Sequence, residues 1–180
     1  MRVIAGEYKG RRLKTPKDYS VRPTADKVKE ALFSILTDKI WGSKVLDLFS
    51  GTGNLGIEAL SRGAELCVFC DSSRESIGII NSNITHCRAE QRAKVVCGDY
   101  RKVMANLREK FDIILLDPPY DKGYLEDCFG NIDECGLLEE DGVIVAEHRR
   151  EEKLPENLFG FEKIKERKYG IIMLSIYKKA

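Results

Sequence analysis

Several features that would assign a protein to a special class are missing from this sequence. No apolar run approaches the roughly 18 to 20 residues that span a bilayer, and the N-terminal residues contain no apolar core of signal-peptide length. Internal repeats, low-complexity tracts and linkers rich in proline or serine are also absent. With 180 residues, of which 43% are hydrophobic and 33% charged, the chain is expected to be a globular cytoplasmic protein without a membrane partner.

Histidine is scarce, which limits the possible metal sites. The chain has 2 histidines and 6 cysteines, and no second Cys/His pair stands at zinc-finger spacing from the Cys67-x-x-Cys70 motif. Cys67 and Cys70 fall in a predicted strand, where residues three apart point to opposite faces of the sheet. We therefore predict reduced, mostly buried cysteines and no metal site.

Charge is spread unevenly, although the net charge is only +1. Residues 1–24 contain seven basic and two acidic residues, so this segment carries +5 and the rest of the chain −4. A basic segment on a mildly acidic body indicates a polyanionic partner. Residues 3–6 and 11–14 flank a glycine-containing turn, which predicts a small β-hairpin. We therefore divide the chain into a basic N-terminal hairpin at 1–23 and a main domain at 24–180.

The main domain shows strand and helix patterns in alternation. A first helix is expected after Arg22-Pro23-Thr24, with Thr24 as its N-cap. The predicted strands are 45–49, 66–70, 93–97, 113–116, 142–146, 159–168 and 171–177, and the further helices are 55–62, 75–86, 102–110 and one within 124–135. This order predicts an α/β, Rossmann-like fold with a mostly parallel seven-stranded sheet, helices on both faces and an antiparallel hairpin at its C-terminal edge.

A glycine-rich turn follows the first strand of the main domain. Gly51, Gly53 and Gly56 satisfy the pattern G-x-G-x-x-G between a predicted strand and a predicted helix, the context in which this pattern binds nucleotides. Asp71 ends the next strand, 20 residues after Gly51, where a carboxylate can accept hydrogen bonds from both hydroxyls of a ribose. These residues predict a site for a cofactor that contains a nucleoside.

The charge of Asp47 favours one such cofactor. It lies inside the first strand, four positions before Gly51, where its carboxylate would repel the pyrophosphate of a dinucleotide. S-adenosylmethionine carries an ammonium group and a sulfonium but no phosphate, so we expect it to be the cofactor. Asp99, at the end of the third strand, is expected to accept the adenine amino hydrogen beside Tyr100, to cap the following helix, or both.

The motif Asp117-Pro118-Pro119-Tyr120 follows the fourth strand, at the sheet edge where open α/β proteins bind ligands. Its two prolines stiffen the turn and hold Asp117 extended. The Asp117 carboxylate and the Pro118 carbonyl can accept the hydrogens of an exocyclic amine, whose lone pair otherwise conjugates with the base ring. Tyr120 offers a face on which the base can stack. We expect this motif to be the reaction centre of an amino-methyltransferase that acts mainly by positioning.

These motifs resemble those of the class I amino-methyltransferases and, more closely, those of the RsmD family, the guanine-N2 methyltransferases of 16S rRNA in the bacterial small ribosomal subunit. The matching segments are residues 2–6, 10–13, 22–33, 51–63 and 116–120. The resemblance implies that the motif at 117–120 holds the target guanine. It implies RNA contacts from Arg2, Lys9, Arg11, Arg12 and Lys14. It also implies a cofactor site formed by Arg22, Thr24, Asp47, Phe49, Ser50, Gly51, Thr52, Gly53, Asp71, Ser72, Asp99 and Tyr100.

One segment departs from the family pattern. Cys70-Asp71-Ser72-Ser73 stands where an acidic–basic run is more usual, which affects only the expected packing around the adenine. The resemblance implies 16S rRNA as the partner. A single small domain with a short basic arm is expected to need the preassembled surface of a subunit particle to be selective.

Three other functions remain open at this point. The same chemistry could serve adenine N6, DNA or a protein amide, although Asn in place of Asp117 would be typical of glutamine methylation and a large added domain of sequence-specific DNA methylation. A dinucleotide-dependent oxidoreductase is disfavoured by Asp47. A non-catalytic RNA-binding protein is disfavoured by the intact glycine loop and reaction motif.

Overall fold

The structure, a computed structural model, describes residues 1–16, 23–120 and 122–180, with the backbone alone for residues 23–25. Its strands are β1 (Lys44–Asp47), β2 (Leu66–Asp71), β3 (Ala93–Cys97), β4 (Phe111–Leu116), β5 (Leu138–Arg149), β6 (Asn157–Leu158), β7 (Phe161–Tyr169) and β8 (Ile172–Lys179). They form one sheet in the order β3-β2-β1-β4-β5-β8-β7-β6. The first five strands in the chain pair in parallel and the last three join antiparallel, which confirms the predicted Rossmann-like fold.

The described sheet has eight strands rather than the predicted seven. The additional strand, β6, is two residues long and pairs with β7 at the edge of the sheet. Two residues are too few to show the alternation that marks a strand in a sequence. The predicted C-terminal hairpin is confirmed, since β7 and β8 pair antiparallel and β8 joins the hairpin to β5.

Six α-helices are described. They are α1 (Pro23–Ile35), α2 (Thr37–Ile40), α3 (Asn54–Ser61), α4 (Arg74–Cys87), α5 (Tyr100–Asn106) and α6 (Tyr124–Glu134). In the parts of the chain that the structure covers, none of them is long and apolar enough to cross a membrane.

Two helices begin two residues earlier than predicted. Helix α1 begins at Pro23, so Thr24 lies in its first turn rather than at its N-cap. Proline suits this position because the first N–H groups of a helix have no partner within the helix. Helix α5 begins at Tyr100 rather than Lys102 and ends at Asn106 rather than Lys110. Asp99 caps it, because its side chain accepts hydrogen bonds from the backbone of Arg101 and Lys102.

The sheet separates two apolar layers. One layer packs helices α1, α3 and α4 and the N-terminal residues against one face, and the other packs α5 and α6 against the opposite face. Cys67 belongs to the first layer and Cys70 to the second, which confirms that their side chains point to opposite faces. All six cysteines are free thiols.

The N-terminal residues form a hairpin that packs on the main domain. Arg2 and Arg12 make an antiparallel bridge, and the Val3 N–H donates to the Arg11 carbonyl at 3.0 Å. Val3 and Leu13 are buried in the apolar layer while Arg2 and Arg12 face outward. One face of this short hairpin therefore completes the core and the other presents positive charge.

A buried ion pair anchors this hairpin. Glu58 of α3 accepts the backbone N–H groups of Ile4 and Ala5 at 2.8 and 3.0 Å. Its carboxylate also pairs with Lys29 of α1 at 3.2 Å and with Arg62 at 2.9 Å. Glu58 is fully buried, so the hairpin backbone and the two cations together satisfy a charge that would otherwise destabilise the fold.

Candidate active site

A cavity of about 980 Å³ lies at the carboxyl ends of the parallel strands. The strand order β3-β2-β1-β4-β5 places β1 at the point where successive connections turn to opposite sides of the sheet, which is where open α/β folds bind their ligands. All four predicted reaction-centre residues line this cavity. The predicted cofactor residues on its wall are Asp47, Phe49, Ser50, Gly51, Thr52, Asp71, Ser72, Asp99 and Tyr100.

Of the other three predicted cofactor residues, one lies off the cavity wall and two have side chains outside the part of the chain that the structure describes. Gly53 is not on the cavity wall but precedes α3, with a left-handed φ of 77° and its N–H donated to the Ser50 carbonyl at 2.7 Å. Arg22 lies outside the described residues, and of Thr24 only the backbone position in α1 is described. Their proposed roles remain predictions.

The loop between β1 and α3 is held by hydrogen bonds to both neighbouring strands. The Ser50 hydroxyl donates to the Asp47 carbonyl at 2.7 Å and accepts the Cys70 N–H at 3.0 Å. Gly51 has a φ of 55°, which few side-chain-bearing residues tolerate, and donates its N–H to Asp71 at 2.9 Å. A Cβ on Gly56 would lie 2.3 Å from the Phe69 ring, so this glycine permits α3 to pack closely on β2.

Asp47 is a buried carboxyl at the centre of this arrangement. It is 2% exposed and accepts the Gly56 N–H at 3.0 Å. Burial raises the pKa of Asp47 to about 7, and the negative charge of Asp71 adds to this effect. A cation bound in the cavity would favour the ionised form, so the site is suited to a positively charged ligand.

Asp71 and Asp99 lie at the ends of the next two strands. Asp71 accepts backbone N–H groups from Gly51 through one oxygen and from Ser73 through the other, which fixes its carboxylate plane. Asp99 caps α5 through Oδ1 and also lines the cavity, so the structure confirms its predicted capping role. Together with Asp47, these side chains place an acceptor at the end of each of three adjacent strands.

An aromatic wall closes the side of the cavity next to Asp99. The Phe49 ring lies 5.2 Å from that of Tyr100 and 6.0 Å from that of Tyr124, measured between centroids. The Tyr100 hydroxyl donates to Asp127 at 2.6 Å, which fixes the orientation of its ring. Such a wall can pack against a planar base.

The reaction motif forms another part of the cavity wall. Enclosure of its carboxyl raises the pKa of Asp117 well above its ordinary value, and the charges of Glu147 and Asp47 raise it further. The Tyr120 hydroxyl donates to Glu147 at 3.0 Å, and the Arg149 guanidinium lies 5.2 Å from the centre of the Tyr120 ring. Tyr120 is therefore held by groups on β5.

Sequence reasoning missed Glu147, Lys29 and Asn54, which also line the cavity. Glu147 follows the apolar run 143–146 of β5, and an acidic residue at that strand end is the same signal that identified Asp71 and Asp99. Lys29 is 2% exposed and donates to Asn54 at 2.7 Å, and burial lowers its pKa. In the sequence, Lys29 could not be distinguished from an exposed lysine on the surface of a helix.

The five basic residues predicted to contact RNA lie on the N-terminal hairpin rather than on the cavity wall. Four of them are exposed, namely Arg2, Lys9, Arg12 and Lys14. Arg11 is half-buried, and its guanidinium donates to the His86 carbonyl at 2.7 Å. Met1, next to Arg2, does line the cavity, so the open end of the hairpin lies near it.

Comparison with known proteins identifies the family. The family described as Conserved hypothetical protein 95 matches residues 1–178. The YlbH protein of Bacillus subtilis is 43% identical over 182 residues, covering 99% of each chain. The Escherichia coli protein named ribosomal RNA small subunit methyltransferase D is 30% identical over 179 residues, covering 99% of this chain and 90% of the relative. This chain belongs to the Conserved hypothetical protein 95 family. The resemblance to the RsmD family is therefore confirmed.

The fold of the family agrees with the structure. The solved structure of the Escherichia coli protein yhhF superimposes with a TM-score of 0.90 at 28% identity, over 99% of this chain and 97% of that one. A Thermus thermophilus protein superimposes with a TM-score of 0.80 over 99% of both chains. This member of the Conserved hypothetical protein 95 family thus has the class I methyltransferase fold.

Proposed function

We propose that the protein transfers a methyl group from S-adenosylmethionine to the exocyclic N2 of a guanine in 16S ribosomal RNA. The observation that carries this proposal is the single cavity in which Asp47, the glycine loop and the Asp117-Pro118-Pro119-Tyr120 motif meet. Relatives from Escherichia coli and Haemophilus influenzae are named ribosomal RNA small subunit methyltransferase D, which supports ribosomal RNA as the substrate.

The acceptors on the cavity wall fit the proposed cofactor. Adjacent parallel strands are about 4.8 Å apart, so the ends of β3, β2 and β1 span roughly 10 Å, which is comparable to the length of an adenosine. Asp99 would accept the adenine amine, Asp71 the ribose hydroxyls, and Asp47 the ammonium of the methionine part. The cofactor would supply an electrophilic methyl group bound to a sulfonium.

The reaction motif would prepare the nucleophile. The Asp117 carboxylate and the Pro118 carbonyl accept the hydrogens of the amine, so that its lone pair points at the methyl group. On methylation by the cofactor, which would depart as the neutral thioether, the amine nitrogen would gain positive charge and would pass one proton to Asp117 and then to solvent. The raised pKa of Asp117 makes it a more effective proton acceptor than an ordinary carboxylate.

The outer face of the N-terminal hairpin would contact the RNA backbone. Arg2 and Arg12 lie directly opposite each other in the hairpin bridge, where like charges repel, and Asp26 offsets only part of this charge by pairing with Arg2 at 3.7 Å. A bound phosphate would relieve this repulsion. An assembled subunit particle is the proposed substrate. It would hold the target guanine where it can be turned out of its stack, and it would hold the backbone phosphates in fixed positions for the hairpin to contact.

Substitution of Asp117 tests the proposed reaction centre. Asp117→Ala is expected to lower the rate of methyl transfer by roughly a hundredfold or more, because the amine loses its acceptor. Its affinity for S-adenosylmethionine, measured by equilibrium dialysis, should stay within about twofold of wild type, since the proposed ammonium and ribose acceptors, Asp47 and Asp71, are retained. Glu151→Ala, at an exposed acidic residue, is the matched control. Turnover of Asp117→Ala at the wild-type rate would show that the reaction centre lies elsewhere.

A further inference from the structure

Glu147 lies beside the reaction motif at the end of the neighbouring strand. Strands β4 and β5 pair in parallel with Leu116 opposite Ala146, so Asp117 and Glu147 occupy the next positions of the two chains. Adjacent strands are about 4.8 Å apart, and residues in register on parallel strands point to the same side. Both residues line the cavity. Two carboxyl groups therefore face one binding space.

The position of Glu147 is fixed by its neighbours. The Tyr120 hydroxyl donates to its Oε1 at 3.0 Å, which ties the carboxylate to the residue expected to stack on the base. Burial raises the pKa of Glu147, so holding this group here costs free energy in the unliganded protein. The chemistry assigned to Asp117 and the Pro118 carbonyl does not require a second carboxylate. A ligand that donates hydrogen bonds to it would offset that cost.

The base itself is such a ligand if it is guanine. Guanine carries an N1–H next to its N2 amine, so its edge presents adjacent donors. Adenine carries an unprotonated N1 next to its N6 amine, and 2-aminopurine carries an unprotonated N1 next to its N2 amine. A carboxylate opposite N1 accepts a hydrogen bond from guanine and faces a lone pair in the other two bases. Proteins that take a base out of its stack read this edge by hydrogen bonding.

We propose that Glu147 is a specificity-determining residue that accepts the N1–H of the target guanine while Asp117 and the Pro118 carbonyl accept the hydrogens of its N2 amine. This inference rests on the proposed function, because it presupposes a guanine in the cavity. It explains why the sheet presents two acidic side chains at adjacent strand ends, and why Tyr120 is tied to the second of them. Glu147 would thus act in base selection, and Asp117 in preparing the nucleophile.

The test compares two target bases in each protein variant. Once the methylated guanine has been located with wild-type protein, 16S rRNA is prepared by ligation with guanosine or 2-aminopurine at that position and assembled into subunits. The ratio of kcat/KM for the two substrates is measured in wild type, in Glu147→Gln and in the control Glu151→Gln. Both kcat/KM values in a ratio are measured with the same protein preparation. A lower fraction of folded variant therefore lowers both values equally and does not change their ratio.

Wild type is expected to prefer guanosine by tenfold or more, the range expected when a charge-assisted hydrogen bond is removed. Glu147→Gln should lower this ratio by about tenfold, because the Gln amide can turn an N–H toward the unprotonated N1. Glu151→Gln should keep the wild-type ratio. A wild-type ratio near one, or an unchanged ratio in Glu147→Gln, would overturn the role of Glu147 while leaving guanine methylation intact. Absence of N2-methylguanosine with wild-type protein would instead refute the proposed function.

Discussion

The Asp47 carboxyl is buried, and none of its described contacts is a cation. The Gly56 N–H and the neighbouring Asp71 are the groups that act on it most strongly after burial itself. A carboxyl whose pKa is raised on folding favours the folded state most at low pH, and this contribution is lost as pH rises from the unfolded value toward about 7. Unliganded protein should therefore lose stability over this range, and a bound cation should restore it.

The loss of stability with rising pH leads to a prediction for Asp47→Asn. The variant should melt several degrees higher than wild type at pH 8 without ligand, because it no longer buries a charge. Its affinity for S-adenosylmethionine should be lower by tenfold or more. In wild type the affinity should rise by up to tenfold per pH unit between about pH 5.5 and 7, as Asp47 ionises.

Equilibrium dialysis with labelled S-adenosylmethionine and thermal melts at each pH measure both quantities. The Asp47→Asn variant is the control for the wild-type pH dependence, because its affinity should not change with pH over the same range. Parallel pH profiles for wild type and Asp47→Asn would show that another group receives the ammonium.

At the scale of elements, the N-terminal hairpin depends on a close approach to α3. A Cβ on Gly6 would lie 1.9 Å from the Ser61 carbonyl oxygen, and Gly6 has a φ of 84°. Gly10 has a nearly identical φ of 83°, but a Cβ there would meet nothing within 4 Å. An alanine at either glycine would have the same backbone strain, but only an alanine at Gly6 would also clash with α3.

Gly6→Ala should destabilise the protein clearly more than Gly10→Ala. Gly10→Ala carries the conformational cost of a left-handed residue, on the order of 1 kcal/mol. Gly6→Ala adds a backbone clash that displaces residues 4–8 from Glu58 and Ser61 and leaves the buried Glu58 with fewer partners. Chemical denaturation measures the free energy of unfolding of both variants, and equal decreases would contradict the proposed anchoring.

The outer face of the same hairpin is predicted to bind RNA. Arg12→Ala combined with Lys14→Ala should weaken binding and reduce the slope of log affinity against log salt by roughly 0.7 for each phosphate that is no longer neutralised. Lys44→Ala combined with Lys110→Ala removes the same charge at the amino ends of β1 and β4, away from the cavity. This control should leave the slope unchanged. Filter binding at several salt concentrations measures the slope. Equal slopes for wild type and the hairpin variant would exclude this face from the interface.

Local signals predicted those parts of the molecule that depend on short segments. The glycine loop, the acidic strand ends and the alternation of strands and helices each occupy a few consecutive residues, and each was placed correctly. Glu58 and Lys29 were missed because their burial depends on helices α1 and α3 packing on the hairpin, which no single segment encodes. The start of α5 was displaced because the cap at Asp99 outweighed the apolar period used to place the helix.

At the scale of the whole molecule, the fold places two sets of polar and aromatic side chains at the carboxyl ends of the parallel strands. Strands β1 to β3 present acceptors suited to an adenosine and an ammonium, whereas β4 and β5 present the carboxyl groups and the ring suited to a base. The hairpin brings the positive charge of Arg2 close to this end of the sheet, since the adjacent Met1 lines the cavity. This arrangement suits the proposed transfer of a methyl group between two ligands bound at adjacent halves of the sheet.

Transfer of radiolabelled methyl from S-adenosylmethionine to small ribosomal subunits and to naked 16S rRNA, both from undermethylated cells, tests this account most directly. After digestion to nucleosides, the label is predicted to appear in N2-methylguanosine, with assembled subunits as the better substrate. Label in N6-methyladenosine would keep the chemistry of the Asp-Pro-Pro-Tyr motif but contradict the assignment of guanine. Measurable cofactor binding without any labelled nucleoside would contradict RNA methylation altogether.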